Sequence, residues 1–239
     1  MSTFYGIGVG PGDPELLTLK AAKVLSCCPH VVVPKARAEG ESVALEIARR
    51  HVHERAEIHE LVFPMTTDKA ELSRSWRESA RKIAALLETG ADVCFLTLGD
   101  ALVYSTYIYL LRELKAVLPG VNVVTVPGIT SFSAAAALTG FPLGEGKEPI
   151  RVVPTADDLT AVRDALEEGG TVVLMKIGKR LGDILDLLEE RGLLGEAVFV
   201  QRAGQAAQRV ELDLRTLRGR EAEAGYLSVI LVHAKGGAQ

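Results

Sequence analysis

The chain of 239 residues is poor in several features whose absence narrows its function. Its only cysteines are Cys27, Cys28 and Cys94. The number is odd and two are adjacent, so no disulfide framework is implied. The adjacent pair also lacks the spacer that would let both thiolates reach one zinc ion. There is no excess of basic charge, since 27 Lys and Arg stand against 31 Asp and Glu, a net charge of -4. Bulk attraction to nucleic acid or anionic lipid needs a basic footprint, so neither nucleic acid nor membrane is an expected partner. Apolar runs are short and broken by Gly, Pro or charge, well below the ~20 residues that span a bilayer. No N-terminal stretch combines a basic head, an apolar core and a small-residue cleavage site. A soluble, cytoplasmic protein is the expectation. Internal repeats are missing, as are the G-x-S-x-G elbow and the G-x-x-x-x-G-K-[ST] loop, which sets aside the obvious hydrolase and NTPase chemistries. His51, His53 and His59 lie close in sequence without the i, i+4 spacing and carboxylate of a hydrolytic zinc helix. They are expected to be surface histidines, and no protein-bound metal is expected.

What is present points to a folded α/β protein. With 48% hydrophobic and 24% charged residues the chain is not disordered. Its length suits one or two domains with a full core. Thr3–Val9, His30–Val33, Ile58–Phe63, Val93–Leu98 and Asn122–Val126 read as strands. Several are nearly continuous in hydrophobicity, as expected of a parallel sheet covered on both faces. Between them, Asp13-Pro14-Glu15 supplies an N-cap, a first-turn proline and a first-turn acid for a helix through Leu16, Leu19 and Lys23. Leu72, Trp76, Ala80, Ile83 and Leu87 follow helical spacing, with Gly90 where a terminating glycine belongs. After the small-residue stretch Ser131–Thr139, further strands are expected at Arg151–Val153, Val172–Lys176, Val198–Arg202, Gln208–Leu212 and Leu227–Val232, with helices at Leu159–Glu168 and Leu181–Arg191. Val198–Arg202 and Gln208–Leu212 are too close for a helical crossover, so they are expected to pair antiparallel. The fold class is therefore two α/β domains, the first with a mainly parallel sheet and the second with a mixed sheet. Their limits are placed at 1–126 and 127–239, with the boundary soft between Pro119 and Gly144.

Glycine is clustered at strand ends. Gly6-Ile7-Gly8-Val9-Gly10-Pro11-Gly12-Asp13 closes the first strand. Against a dinucleotide fingerprint, the third glycine position is Pro11 and the helix begins only after Asp13, whose charge would repel phosphate. A tight turn alone explains one of these glycines; a loop lying close to a bulky ligand explains more of them. Leu98-Gly99-Asp100 follows another apolar strand, where ligands of open α/β sheets sit. There Asp100 accepts from hydroxyls or a cationic group, unless Asp100 or Ser105 merely caps the helix that runs to Leu118. Val126-Pro127-Gly128-Ile129-Thr130-Ser131 is a third loop of this kind. A nicotinamide oxidoreductase remains the alternative from these residues alone.

Together the three loops resemble the tetrapyrrole methylase family, whose members carry G-x-G-x-G-x-x-D, G-D-P and P-G-[IV]-[ST]-[SA] motifs in this order. Here they read Gly6 to Asp13, Gly99-Asp100-Ala101 and Pro127 to Ser131, and the late Gln208-Arg209-Val210 agrees. Ala101 stands where the family usually has proline. Pro64-Met65-Thr66-Thr67-Asp68, Trp76 and Tyr104 to Leu110 resemble the branch that methylates carbon 20 of precorrin-2 or cobalt-factor II in cobalamin biosynthesis. The resemblance implies S-adenosyl-L-methionine as methyl donor, held in a cleft between two α/β domains. By motif position it implies cofactor contacts at Gly99, Asp100, Ala101, Val103, Thr130, Ser131, Met175 and Ala203, with Leu227 and Ser228 as further candidates. It gives the first loop, Gly8, Gly10, Pro11, Gly12 and Asp13, to the tetrapyrrole, together with Tyr104, and it implies a homodimer. A methylase acting on another ring carbon, and a protein that binds the cofactor without turnover, are the alternatives.

Methyl transfer from a sulfonium needs an in-line arrangement more than a strong base. Water or Asp100 is expected to take the proton that leaves the methylated carbon, unless Asp100 only positions the donor. The substrate's carboxylates require local cations despite the net acidic chain. Lys35 and Arg37, expected in the loop after the second strand, are the first candidates, with Lys176 and Arg202 behind them.

Overall fold

Strands that are apolar at every position are explained by which way alternate residues point. In β1 (Thr3–Gly8) and β4 (Val93–Thr97), Phe4, Val93 and Phe95 enter one apolar cluster, while Ile7, Cys94 and Leu96 enter another. A sheet with both faces buried has no polar side, hence no alternation in the sequence. The computed structural model describes residues 2–35, 42–63, 66, 68–155, 158–223 and 225–234. The chain forms two compact units, Met1–Thr130 and Ser131–Gln239.

In the first unit, β2 (His30–Lys35), β3 (Glu57–Val62) and β5 (Asn122–Val126) join β1 and β4 in a sheet of order β3-β2-β4-β1-β5, parallel throughout. One face is covered by α3 (Lys69–Glu88) and α4 (Tyr107–Val117), through Ile83, Leu87, Leu110 and Leu114. The other face is covered by α1 (Leu19–Leu25) and α2 (Val43–Ala48), through Leu25 and Ile47. Each large side chain fully buried this way contributes about 1.5–3 kcal/mol. Two expectations change here. Asp13 does cap, its Oδ1 accepting from Glu15 N at 2.8 Å, but it caps only a single 3-10 turn over Pro14–Leu16. Leu17 is extended, and the α-helix starts at Leu19 under Thr18, whose Oγ1 accepts from Ala21 N. The second strand ends at Lys35 rather than Val33. Pro34 is tolerated because β4 pairs with β2 only at His30, Val31 and Val32, so the missing N–H faces no neighbour there. Gly90, at φ +88°, ends α3 as its position suggested.

In the second unit, β6 (Ile150–Pro154), β7 (Gly170–Met175), β8 (Ala197–Gln201), β9 (Arg209–Glu211) and β10 (Ser228–Ala234) form a sheet of order β6-β7-β10-β8-β9. Only the β6–β7 pair is parallel; β8 and β9 run antiparallel, as their short connection required. Helices α6 (Thr160–Glu168) and α7 (Leu181–Glu190) bury Val162, Leu166, Ile184 and Leu188 with Phe199, Ile230 and Val232 of the sheet. Helix α5 (Ser131–Thr139) packs against β10. Cys27, Cys28 and Cys94 are all free thiols. Among the described residues no helix is long and apolar enough to cross a membrane.

Candidate active site

The order of the first sheet places β4, β1 and β5 side by side, so the three glycine loops leave the carboxyl ends of three neighbouring strands. Their backbones then touch. Val9 N donates to Thr97 O at 2.9 Å, Gly10 N to Gly99 O at 3.1 Å, and Gly99 N back to Gly10 O at 2.7 Å. Gly10 and Gly99 adopt φ +82° and +70°, a region L side chains avoid. A Cβ on Gly8 would lie 2.6 Å from Gly99 O and 2.7 Å from Gly128 N, and one on Gly128 only 2.2 Å from Gly99 O. A Cβ on Gly6 would lie 2.1 Å from the ring of Tyr107. Gly6, Gly8 and Gly10 therefore have reasons inside the protein itself, where the sequence suggested a ligand as the better explanation. Gly8, Gly10, Pro11 and Gly12 are all buried, and Asp13 is half-buried at its cap.

Asp100 ties the second loop to the third. Its Oδ1 accepts from Leu102 N at 2.8 Å and its Oδ2 from Gly128 N at 3.0 Å. It lies upstream of α4 and caps nothing there; Ser105 is the hydroxyl that accepts from Tyr107 N, at 3.1 Å. Ser105 Oγ also meets Thr97 Oγ1 at 2.8 Å in buried surroundings. Tyr107 Oη meets Thr125 Oγ1 at 2.8 Å, and burial of its ring pushes the phenol pKa upward. Ala101 is fully buried in the apolar cluster under α3 and α4, and Gly99 is buried; Val103, Thr130 and Ser131 are half-buried. Tyr104 is exposed, with φ +52°.

The candidates in the second unit gather at one end of its central strands. Because β10 is antiparallel to β7 and β8, its first residue lies beside their last ones: Val229 pairs with Met175, and Ser228 with Gln201. Arg202 N donates to Leu227 O at 2.9 Å, and Thr155 N to Met175 O at 2.9 Å. Lys176, Arg202 and Leu227, at φ +56°, +50° and +61°, all take the left-handed conformation at this end. Such conformations in side-chain-bearing residues cluster at functional sites. Met175 is half-buried, Ala203 and Ser228 are buried, and Lys176 and Arg202 are exposed.

Two cation candidates stand differently from expectation. Lys35 is in β2 rather than in the following loop, and its Nζ lies 2.8 Å from Glu60 Oε2 on β3, so its charge is already matched. Arg37 lies outside the described residues, as do Pro64, Met65 and Thr67. His59, expected as a surface histidine, instead faces His30 across β2 and β3. No local pattern announces that pair, because 29 residues separate its members.

The sequence and the fold are both similar to those of known proteins. The model of the tetrapyrrole (corrin/porphyrin) methylases matches residues 3–217. A cobalt-precorrin-2 C(20)-methyltransferase of Salmonella typhimurium is 34% identical over 229 residues, covering 96% of this chain and 95% of that one. A precorrin-2 C(20)-methyltransferase of a Sinorhizobium species is 32% identical, covering 95% and 93%. The crystal structure of uroporphyrin-III C-methyltransferase from Thermus thermophilus, complexed with S-adenosyl homocysteine, superposes with a TM-score of 0.65 at 24% identity, covering 97% and 92%. This chain belongs to the tetrapyrrole methylase family.

Proposed function

We propose that this protein transfers a methyl group from S-adenosyl-L-methionine to carbon 20 of precorrin-2 or its cobalt-containing counterpart, in cobalamin biosynthesis. Near-full-length similarity to the Salmonella carbon-20 methyltransferase is the observation that carries this reading. When bound, S-adenosylmethionine supplies a methyl group already activated by the positive sulfonium. What the protein must add is position, which in favourable cases supplies about 7–11 kcal/mol of the barrier.

The second and third loops suit that task, since a mutually braced backbone loses little freedom when it receives a ligand. Gly99, Asp100, Ala101, Val103, Thr130 and Ser131 are the proposed donor contacts in this region. Met175, Ala203, Leu227 and Ser228, at one end of the second sheet, are the proposed contacts in the second unit. Asp100 already accepts two N–H donors, which favours positioning over proton abstraction, and water then takes the departing proton. The tetrapyrrole is assigned to the first loop, Gly8 to Asp13, with Tyr104. For its carboxylates, the proposed cations are Lys176 and Arg202, both exposed at that end of the second sheet, together with Lys35 of β2. The active form is proposed to be a cytoplasmic homodimer.

The test is to supply the donor with a 13C-labelled methyl, with precorrin-2 and with cobalt-factor II in parallel, and to locate the label by NMR. Label at carbon 20 is the expected result, and the better substrate identifies the metal state. Label at another carbon would assign a different family activity, and donor binding without transfer would make this a binding protein. Light scattering at the assay concentration reads the dimer.

A further inference from the structure

The opposite end of the first sheet carries a cluster that methyl transfer does not use. His30 opens β2, and Glu57 and His59 lie on the neighbouring edge strand β3. Parallel register sets His30 beside Glu57, and residues two apart on a strand share a face, so all three side chains project to the same side. His30 Nδ1 lies 3.1 Å from His59 Nε2 and 3.6 Å from Glu57 Oε2, and His59 Nε2 lies 3.9 Å from that oxygen. We propose that His30, Glu57 and His59 form a binding site for a transition-metal dication of the zinc type, clamping edge strand β3 to β2.

The distances carry the argument. Ligand atoms about 2.0–2.2 Å from one tetrahedral ion stand roughly 3.3–3.5 Å apart, and the three observed separations bracket that spacing. Two imidazoles and one carboxylate match the ligand types of zinc, leaving a fourth position for water. Both histidines are half-buried while Glu57 is exposed. The ion would therefore sit at the protein edge, within reach of solvent. A cavity of about 410 Å³ opens beside His59, lined also by Val32, Leu61, Lys82 and Ile83. A ring nitrogen of each histidine faces the other, and binding an ion requires both to present their lone pairs to it. The glycine loops leave the carboxyl ends of β1, β4 and β5, whereas this cluster lies at the amino-terminal end of β2 and β3, roughly 15 Å or more away along the sheet at 3.3 Å per residue. The site is thus independent of the donor and tetrapyrrole assignments.

The experiment uses the full chain, freed of metal by chelator, with no tetrapyrrole or methyl donor present. Cobalt(II) is titrated while the visible band of four-coordinate cobalt is followed, zinc is then added in competition, and melting is recorded with and without zinc. Wild type is expected to bind one equivalent, to release cobalt to zinc, and to melt at a higher temperature with zinc present. His59→Gln and His30→Gln are expected to weaken binding on the order of tenfold or more and to abolish the thermal shift. Wild type that binds no cobalt and melts unchanged with zinc overturns the proposal. So does binding that survives in His59→Gln and His30→Gln but is lost in Cys27→Ser. If either histidine variant folds poorly, Glu57→Gln, at an exposed position, must show weakened binding in its place; unchanged affinity there counts against the site.

Discussion

Where their candidate residues gather, the two units turn the backbone sharply at strand ends with different residues. In the first unit the left-handed positions at the loops are mostly glycine, Gly10 and Gly99, and close contacts are made possible by Gly8 and Gly128. In the second unit Lys176, Arg202 and Leu227 take the same conformation while keeping a side chain. For non-glycine residues this costs roughly 1–2 kcal/mol each. The difference separates two needs. Where backbone must touch backbone, only the absence of Cβ serves; where a turn must also present a side chain, strain is tolerated. The first unit thus builds a rigid backbone platform, and the second displays chemistry from its rim.

The contrast breaks most readily at Gly128. In Gly128→Ala the new Cβ would meet the carbonyl of Gly99 at 2.2 Å, and neither backbone can rotate away. A loss of roughly 3 kcal/mol is expected, at the upper end for overpacking, with activity lost alongside. Thermal unfolding and donor binding measure it; an alanine variant as stable as wild type would mean that the platform is not rigid.

Asp100→Asn is expected to be the next largest. One side-chain oxygen becomes an NH2 group facing a backbone N–H, leaving one of two donors unsatisfied at about 1–3 kcal/mol. If Asp100 positions the donor, its dissociation constant and KM rise while kcat falls less. A fall in kcat with normal donor affinity would instead make Asp100 the base.

Much of the platform was legible in the sequence, and the reasons are local. A nearly continuous apolar strand such as Val93–Thr97 is buried on both faces, and each glycine loop directly follows a strand of this sheet. What stayed hidden depends on neighbours distant in sequence. Gly8 was unreadable as a contact for Gly128, and Asp100 as its hydrogen-bond partner, because the strand order that joins them is not a local property. Helix α2 escaped because Val43–Ala48 has one charge in six residues, hence no polar face to mark its period. The first helix begins later than Asp13-Pro14-Glu15 suggests, because that genuine cap signal is spent on one 3-10 turn. The left-handed turns at Lys176, Arg202 and Leu227 carry no sequence signature, since none of the three is glycine or asparagine.

Arg202→Gly tests the second half of the comparison. Relief of the left-handed conformation at φ +50° is worth roughly 1–2 kcal/mol, against ~0.5–1 kcal/mol for the added freedom of glycine in the unfolded chain. Because the backbone bond from Arg202 N to Leu227 O persists, a net gain of about 0.5–1 kcal/mol is expected in denaturant unfolding. The same variant is expected to raise KM for the tetrapyrrole, most clearly at low salt. Gained stability with unchanged KM would remove the arginine from the substrate site.

The smallest expected effect concerns how the second unit holds its short edge strand. Arg209 Nε lies 2.8 Å from Glu211 Oε1, with Thr216 Oγ1 donating to the other oxygen at 2.9 Å. The Arg209 hydrogen bond is the main reason the Glu211 carboxyl titrates below its usual range, against a smaller opposing effect of burial. A carboxylate with a depressed folded pKa stabilises the fold above its unfolded value, near 4.3, and loses that contribution as pH falls through the folded value. Glu211→Gln is therefore expected to melt slightly below wild type at pH 7, with the gap closing below about pH 4. A gap that stays constant down to pH 3 would show that β9 is held by packing and neutral hydrogen bonds. The strained rim beside it would then owe its geometry to the sheet rather than to charge.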